Sequence, residues 1–591
     1  MLILLGIVRK GIFMKKTNNN INNTDSANKS RPAAAKSPER PAKAAPSKAP
    51  STKTAPAKAP SARPAPSKTA KSPAGKGSSA GGIKVKHTSK RRSSKKILLV
   101  FAIILAVVAI ALTGGYFYLK MSGYKGTYGE CKWELTKDGI LTISGNGSMV
   151  GERKVTFGLG EPDMSIVREI NVGEGVTDFT LILTKEMSNL QKLSLPSTVV
   201  TIGTGVLNDS TSLQEISVSN DNKEFASMDG SLYTKDGTQL IVYASGRADT
   251  EFTVPDTVET ISSKAFANST NLTKLTLDAN LLSIERQAFD GCNNISEFVV
   301  DSKNEFYSSE DGIIYDKLEN ELVRYAPAKD FKKFDAPPTV SRIHDGAFEN
   351  AVNLTEVTLS ERTKYIGSSA FYGCSNLETL NLPNPVSNIG QGAFALCSKL
   401  SSFTLSQNMI NIPANLFWGC ESLTTIELPT ELVTIGDGAF ARTGLTSVML
   451  PDTVTDIGKN AFGGCKNLSS VVISINVVTI PDYAFNGCTS LSEVTIPDGV
   501  TTIGYSAFAD CTSIKNITIP ENVEFIRDYA FFNCTALSSV NLGSRVNVIG
   551  YAAFNNCPAL LGVKYEPGQA GLEKINIGDQ NSALTKALKA A

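Results

Sequence analysis

The chain has 591 residues, with 58 Lys and Arg against 56 Asp and Glu, so its formal net charge is only +2. That balance conceals a division, because residues 1–96 carry 23 basic and two acidic residues (+21), whereas residues 97–591 carry 35 basic and 54 acidic residues (−19). The two histidines, His87 and His344, are too few for a histidine-rich zinc site and argue against histidine-dependent catalysis.

The first 96 residues are basic and rich in Lys, Ala, Pro, Ser and Thr. Between positions 15 and 96 the sequence has three large apolar residues and no Phe, Tyr or Trp. Such a composition buries too little apolar surface to offset chain entropy, so it predicts a disordered cytoplasmic tail over 1–96. Two interpretations stay open: a solvated spacer, or an electrostatic contact with anionic lipid or nucleic acid.

Residues 97–119 read ILLVFAIILAVVAIALTGGYFYL, without a charge. About 20 apolar residues are needed to cross the ~30 Å hydrocarbon layer, and the basic cluster Lys90–Lys96 marks its own side as cytoplasmic. The sequence therefore predicts one transmembrane helix over 97–119, in a single-pass protein of the cell membrane whose remaining residues are extracellular. The alternatives are a cleavable signal, because Ala109-Ile110-Ala111 fits the small-residue cleavage rule, and a buried core helix.

An apolar template repeats through residues 161–565. It reads L-x-x-L-x-L-P-x-x-L-x-x-I-G-x-x-A-F-x-x-C, and successive copies are 23 residues apart except for one step of 22 and two of 59. A single unit cannot bury its own apolar face, whereas stacked units share one core, so the pattern predicts a solenoid with a short parallel strand at L-x-x-L-x-L. The fifteen copies open at Val167, Leu190, Leu213, Leu272, Ile295, Leu354, Leu377, Leu400, Leu423, Leu445, Leu468, Leu491, Ile514, Leu537 and Leu560.

This unit resembles the BspA-like (type-5) leucine-rich repeats over roughly residues 167–565. Upstream, Cys131–Leu135 and Asp138–Met149 resemble the β-hairpin cap that precedes such repeats, which implies a β-rich N-terminal cap at 120–160. The expected fold class is an α/β, strand-dominated leucine-rich-repeat solenoid with parallel strands on the concave face, a β-hairpin N-cap, one transmembrane helix and a disordered tail. Residues 566–591 are expected to form a C-terminal cap that includes a short helix. The resemblance implies a surface-exposed protein with a role in adhesion and protein binding.

The two 59-residue steps contain insertions near 220–255 and 302–340. Their alternating residues and turn signals predict β-hairpins, and insertions in a repeat array often lie on its binding face. The aligned tyrosines, which either contact a partner or pack the hairpins onto the solenoid, are Tyr233, Tyr243, Tyr315 and Tyr325.

The second candidate surface is the concave strand face. Its outward position lies between the last two inward residues of each strand and forms one column, rich in threonine, along the solenoid. Such faces bind large partners, although threonine also simply suits an exposed strand. The candidate partner-binding residues of this column are Thr358, Asn381, Thr404, Glu427, Thr495 and Thr518.

Nine of the ten cysteines lie three residues after the repeat phenylalanine and form one column. They are expected to be small buried thiols, with disulfides between rungs and a metal site as the alternatives. We predict no catalytic residue, cofactor or metal. The sequence thus predicts a membrane-anchored, surface-exposed repeat protein that binds an extracellular protein or glycan and is not an enzyme. The alternative is a structural spacer of the cell envelope without a specific ligand.

Overall fold

The structure, a computed structural model, describes residues 123–151, 153–158, 161–180, 187–317, 320–565, 571 and 573–590. The predicted tail over 1–96, with its lipid or nucleic-acid contact, and the predicted transmembrane helix over 97–119 lie outside these residues.

Four antiparallel strands begin the described part of the chain: β1 (Tyr124–Tyr128), β2 (Cys131–Leu135), β3 (Ile140–Gly145) and β4 (Arg153–Phe157), in the order β4-β1-β2-β3. Alternate residues of β2 are buried, as expected for a sheet with one face on the core. Strand β3 then pairs in parallel with Glu169–Val172, the first strand of the solenoid, after a 3-10 turn at Met164–Ile166. The cap therefore covers the open edge of the first rung.

Nearly every rung of the solenoid contributes a strand of two to four residues to a first parallel ladder, here called the long-strand ladder. The rung that opens at Leu423 instead contributes an isolated bridge at Glu427. The central residue of a strand points inward and its flanking residues point outward, as in the exposed-buried-exposed pattern of Ser447–Met449. The strands are Glu169–Val172, Lys192–Leu195, Glu215–Val218, Glu251–Thr253, Lys274–Leu277, Glu297–Val300, Lys333–Asp335, Glu356–Thr358, Thr379–Asn381, Ser402–Phe403, Ser447–Met449, Ser470–Val472, Glu493–Thr495, Asn516–Thr518, Ser539–Leu542 and Gly562–Tyr565.

A second ladder of two-residue strands, the short-strand ladder, is formed where the template reads x-I-G. It was not predicted, because a two-residue strand has no alternating pattern of its own. The strands are Asp178–Phe179, Thr201–Ile202, Thr260–Ile261, Ser283–Ile284, Arg342–Ile343, Tyr365–Ile366, Asn388–Ile389, Asn411–Ile412, Thr434–Ile435, Asp456–Ile457, Thr479–Ile480, Thr502–Ile503, Phe525–Ile526, Val548–Ile549 and Asn576–Ile577.

The two insertions are three-stranded antiparallel meanders: Phe225–Met228, Ser231–Thr234 and Gln239–Val242, then Tyr307–Glu310, Ile313–Asp316 and Glu321–Arg324. In each meander the third strand pairs in parallel with the next short strand, so the insertion joins the short-strand ladder. Ordinary long strands follow at Glu251–Thr253 and Lys333–Asp335. The 59-residue steps thus hide two further rungs, which the template missed because Asp249 and Phe331 occupy its opening leucine position.

A column of stacked rings runs through the core, together with the buried aliphatic residues and cysteines of the repeat. From Phe348 to Phe554 the repeat phenylalanines lie with neighbouring ring centroids 4.7–5.9 Å apart and nearly parallel planes. At the meanders tyrosines continue the column, with Tyr243 5.2 Å from Phe266 and Tyr325 5.2 Å from Phe348. Aromatic stacking along the column therefore links successive rungs.

The C-terminal end of the solenoid is covered by helix α1 (Ser582–Ala590). Leu584 and Leu588 of this helix are buried in the core of the last rungs. The Oδ1 atom of Asn581 accepts a hydrogen bond from the amide of Phe554 at 2.9 Å, and its Nδ2 atom donates to the carbonyl of Gly550 at 2.8 Å. Asn581 thus satisfies backbone groups that another rung would otherwise pair.

The expected fold class needs correction. No helix in the described part of the chain is both long enough and apolar enough to cross a membrane. Helix α1 has nine residues, which at 1.5 Å per residue cover about 13 Å, less than half of the ~30 Å hydrocarbon layer. The α/β class with a transmembrane helix is therefore wrong for these residues, which form a strand-dominated solenoid of the leucine-rich-repeat type.

Candidate binding surfaces

The outward side chains of the long-strand ladder form the first candidate surface, here called the long-strand face. All six candidates from the strand column are exposed there. They are held in register by the ladder: Thr358 is the strand partner of Asn381, and Thr404 forms an isolated parallel bridge with Glu427. The backbone thus places these side chains on one face at the ~4.8 Å spacing of neighbouring strands.

Two apolar residues that the candidate set omits lie in the same column. Met449 and Val472 are strand partners, and their side chains are 73% and 52% exposed. Val472 is in turn the partner of Thr495. The sequence does contain the signal, since Met449 and Val472 occupy positions that carry Thr, Asn or Glu in neighbouring rungs.

The surroundings of Met449 and Val472 carry little charge. The first outward position of the same strands is Ser447 and Ser470, whereas Glu493 restores a charge one rung later. Towards the N-terminus this position instead forms ion pairs between rungs, such as Lys192 with Glu215 at 3.0 Å. The Met449–Val472 pair is therefore the apolar centre of an otherwise polar face.

The candidate tyrosines of the meanders lie in the interior instead. Tyr233, Tyr243 and Tyr325 are buried, and Tyr315 is half-buried against the core. Burial raises the pKa of Tyr243 to about 12, because its phenolate would be poorly solvated. Their placement matches the packing alternative, in which the rings hold the meanders onto the solenoid, so we leave them out of the candidate surface.

The repeat cysteines are buried and free, and each bridges two rungs through a hydrogen bond. Each Sγ atom donates to the carbonyl of the phenylalanine one rung earlier, at 3.0–3.3 Å. Burial raises the pKa of the Cys292 thiol to about 12 and that of the Cys557 thiol to about 11. A raised pKa leaves almost no thiolate, the reactive form, at neutral pH.

We therefore expect no alkylation of the native protein by iodoacetamide at neutral pH, and alkylation of all ten cysteines in denaturant. Intact-mass measurement after each treatment checks this. The denatured sample, treated with iodoacetamide but no reductant, is the control, since disulfides between rungs would leave pairs of cysteines unlabelled. Rapid labelling of the folded protein would contradict the burial of this column.

A buried ionic cluster lies where the second meander separates two rungs. The guanidinium of Arg324 donates to the carbonyls of Gly346 and Phe289 and lies 3.5 Å from the carboxylate of Glu349. Desolvation first, and then the charge of Glu349, raise the pKa of Asp290 to about 7, against the opposing charge of Arg324. In a regular repeat the cysteine of the next rung would donate a hydrogen bond to the Phe289 carbonyl. The rung interrupted by the meander has no such cysteine, and Arg324 donates to this carbonyl instead.

His344 and Asp345 serve the turn beside this cluster. The Oδ1 atom of Asp345 accepts a hydrogen bond from the amide of Ser368 at 2.7 Å, and its carboxylate lies 3.4 Å from the guanidinium of Arg286. The Nδ1 atom of His344 lies 3.0 Å from the carbonyl oxygen of Asp345. These contacts indicate that both side chains stabilise the turn.

Comparisons with known proteins agree with this architecture. The family model of the BspA type leucine rich repeat region matches in six copies over residues 164–229, 244–311, 325–443 and 433–561, more than half of the chain. The unmatched stretches between the first three segments coincide with the second and third strands of each meander. A comparison with curated proteins gave no match.

Solved structures similar to the chain include three bacterial leucine-rich repeat proteins. A leucine-rich repeat protein from Eubacterium ventriosum is 24% identical, with a TM-score of 0.39 over 64% of this chain and 92% of that one. One from Bacteroides ovatus is 24% identical, with a TM-score of 0.41 over 60% and 97%. A leucine rich cell surface protein from Faecalibacterium prausnitzii is 20% identical, with a TM-score of 0.33 over 76% and 97%.

Proposed function

Because the chain belongs to the BspA-type leucine-rich-repeat family, we propose that it is a surface-exposed binding protein whose long-strand face holds a protein ligand. The observation that carries this proposal is the exposed Met449–Val472 pair at the centre of a polar, strand-supported face. Protein interfaces combine such an apolar centre with a polar rim. Repeat proteins of this kind bind rather than catalyse, and we extend that role to this chain.

The rigidity of the face supports the proposal. Ser447, Val448 and Met449 pair residue by residue with Ser470, Val471 and Val472, so the outward side chains are fixed by backbone hydrogen bonds. A ligand would therefore bind without first ordering a loop, which lowers the entropic cost of association. Full burial of a Met or Val side chain stabilises a complex by about 1.5–3 kcal/mol.

The polar candidates of the column complete the proposed surface. Asn381, Thr404 and Glu427 lie on the rungs that lead to Met449, and Thr495 and Thr518 on the rungs that follow Val472. Their hydroxyl, amide and carboxylate groups offer hydrogen bonds around the apolar centre. We propose that they set the orientation of the ligand, and that Met449 and Val472 supply most of the affinity.

The test is a binding screen of the full chain against an array of purified extracellular-matrix and plasma proteins, followed by titration of any protein bound. In the variant Met449→Asp/Val472→Asp we expect the Kd to rise at least about tenfold, since two carboxylates would be desolvated in the interface. The matched control is Leu561→Asp, because Leu561 is 77% exposed but lies outside the column.

The outcomes separate the proposal from a spacer function. A spacer predicts no saturable binding to any member of the array. Equal affinities of the wild type and the double variant would place the ligand elsewhere on the molecule. Thermal unfolding of all three proteins should coincide, because the substituted side chains are exposed.

A further inference from the structure

The one 22-residue step of the repeat opens a depression beside the stacked outer turns. In this rung Thr443-Gly444 replaces the Cys-x-x of the previous rung, Cys420-Glu421-Ser422, and so one residue is missing. Gly444 lies directly on its neighbour, since a Cβ atom there would come within 2.2 Å of the Glu421 carbonyl oxygen. The result is a depression of about 890 Å³, here called the Trp418 depression after its aromatic wall.

Arg442 lines this depression, and its backbone has a conformation that arginine rarely adopts. Its φ is 58°, in the left-handed region, and the residues at the same position of eleven other rungs have such a φ as well. Leu396 is the only other residue there that is not glycine, asparagine or aspartate; the remaining members of the column are Asn268, Gly291, Asn350, Gly373, Gly419, Gly464, Gly487, Asp510, Asn533 and Asn556. A long side chain in this conformation costs free energy, and residues in such strained conformations cluster at functional sites.

The side chain of Arg442 is held in place by two contacts. Its guanidinium lies over the ring of Trp418, 5.3 Å from the centroid. Its stem lies along Gly464, where a Cβ atom would come 3.1 Å from the Cγ atom of Arg442. Stacking of this kind orients the planar guanidinium and leaves the N–H groups on its edge free.

The remaining lining is polar and contains a second cation. Lys466, Glu421, Asn467 and Asn486 contribute to the walls of the depression. Within the residues that the structure describes, neither Arg442 nor Lys466 takes part in an ion pair. The depression thus presents two unpaired cations in a part of the chain, residues 97–591, whose net charge is −19.

We propose that the Trp418 depression binds a carboxylated sugar, the uronate or sialate unit of an acidic glycan. The free edge of Arg442 matches a carboxylate with two parallel hydrogen bonds, and Lys466 adds a second positive charge. The amides of Asn467 and Asn486 can bond sugar hydroxyls, and the indole of Trp418 offers an apolar surface to the C–H groups of the ring. This site shares no residue with the long-strand face, so it stands or falls independently of the proposed protein ligand.

The first experiment is a titration of the full chain with a glucuronate-containing tetrasaccharide, followed by tryptophan emission. The only other tryptophan, Trp133, is 4% exposed in the N-terminal cap, so a change in emission reports on Trp418. The basic region 1–96 contains no tryptophan, and glycan bound there leaves the emission unchanged. We expect a saturable change with the acidic tetrasaccharide and an at least tenfold weaker one with a neutral tetrasaccharide of equal length.

The decisive variant is Arg442→Gly, which introduces the commonest residue of this column. It should weaken glycan binding at least tenfold while the unfolding temperature stays unchanged or rises, because the left-handed backbone is relaxed. Leu396→Gly is the matched control: it relaxes the same position two rungs earlier, outside the depression, and should keep the Kd within twofold. Absence of a saturable change, equal affinity for the neutral tetrasaccharide, or unchanged binding by Arg442→Gly would each overturn the proposal.

Discussion

Phe440→Ala is expected to lower the free energy of unfolding of the solenoid by about 3–5 kcal/mol. The Phe440 ring is fully buried, with its centroid 5.7 Å from that of Phe417 and 5.3 Å from that of Phe462. The amide of Phe440 donates to Ala461 and that of Phe417 to Ala439, both at 2.8 Å. Because these bonds fix the spacing of the rungs, the cavity left by the ring cannot close by collapse of its walls.

Urea unfolding followed by circular dichroism measures this loss as a lower midpoint. Hydrogen exchange locates it, since a rung contacts only its neighbours and protection should fall first around residues 417–465. Phe525→Ala is the control, because Phe525 is 43% exposed on a short strand and lies outside the stacked column. We expect it to cost less than about 1 kcal/mol. Equal losses in the two variants would mean that the column does not carry the core.

The solenoid and the positions of its core residues could be predicted from the sequence because the same pattern recurs many times. The positions of the inward leucines, the phenylalanine and the cysteine recur at a fixed step, and one physical requirement, burial in a shared core, explains them all. The role of the cysteine was less accessible. That its thiol caps a carbonyl of the preceding rung follows only from the spacing of the rungs, as in the 3.2 Å bond from Cys511 to Phe485.

The departures from the repeat were harder to interpret than the repeat itself. The sequence left two interpretations of the meander tyrosines open, contact with a partner or packing onto the solenoid, and Tyr243 and Tyr325 fill the ring column where the phenylalanine is missing. The sequence cannot tell an exposed aromatic residue from one that replaces a core ring, since both are large and apolar. The 22-residue step is evident in the sequence. The depression beside it could not be predicted, because it depends on the contact between Arg442 and Trp418 of neighbouring rungs.

The outward strand positions show how much of a binding face can be predicted from the repeat pattern. Alternation places Thr358, Asn381 and Thr404 outward, and the structure has them exposed. The energetic centre of such a face depends on which side chains differ from their neighbours, and Met449 and Val472 are large apolar members of the column that are also exposed. An exposed apolar pair held by a sheet is informative because nothing in the fold requires it.

Arg324→Ala is the second substitution with a large expected effect, a loss of about 3–5 kcal/mol, since it leaves a buried carboxylate without its cation. The Arg324 side chain is 4% exposed and that of Glu349 14% exposed, so water cannot replace the missing partner. The variant also removes the donor to the Phe289 carbonyl at 3.2 Å. The meander would then lose the side chain that links it to the carbonyls of Phe289 and Gly346 in the rungs on either side.

The loss of stability in Arg324→Ala should depend on pH, because the pKa of Asp290 differs between the folded and the unfolded protein. The pKa of Asp290 is raised to about 7 in the folded protein, from an ordinary value of 3.8, so the folded state keeps a proton that the unfolded chain releases. Stability from this group is therefore present below about pH 4 and is lost as the pH rises to about 7. Without Arg324 the pKa rises further, because the one cation that opposed the shift most strongly is gone, and the loss continues above pH 7.

Arg324→Ala should consequently be more destabilising at about pH 8 than at about pH 5, as measured by urea unfolding at both pH values. The double variant Arg324→Ala/Asp290→Asn should remove most of this difference, because asparagine does not titrate. A destabilisation that is equal at the two pH values, or below about 1 kcal/mol at both, would contradict a buried ionic cluster at the second meander. The expected result would mean that the positive charge of Arg324 stabilises the neighbouring carboxyl groups of Asp290 and Glu349 inside the solenoid.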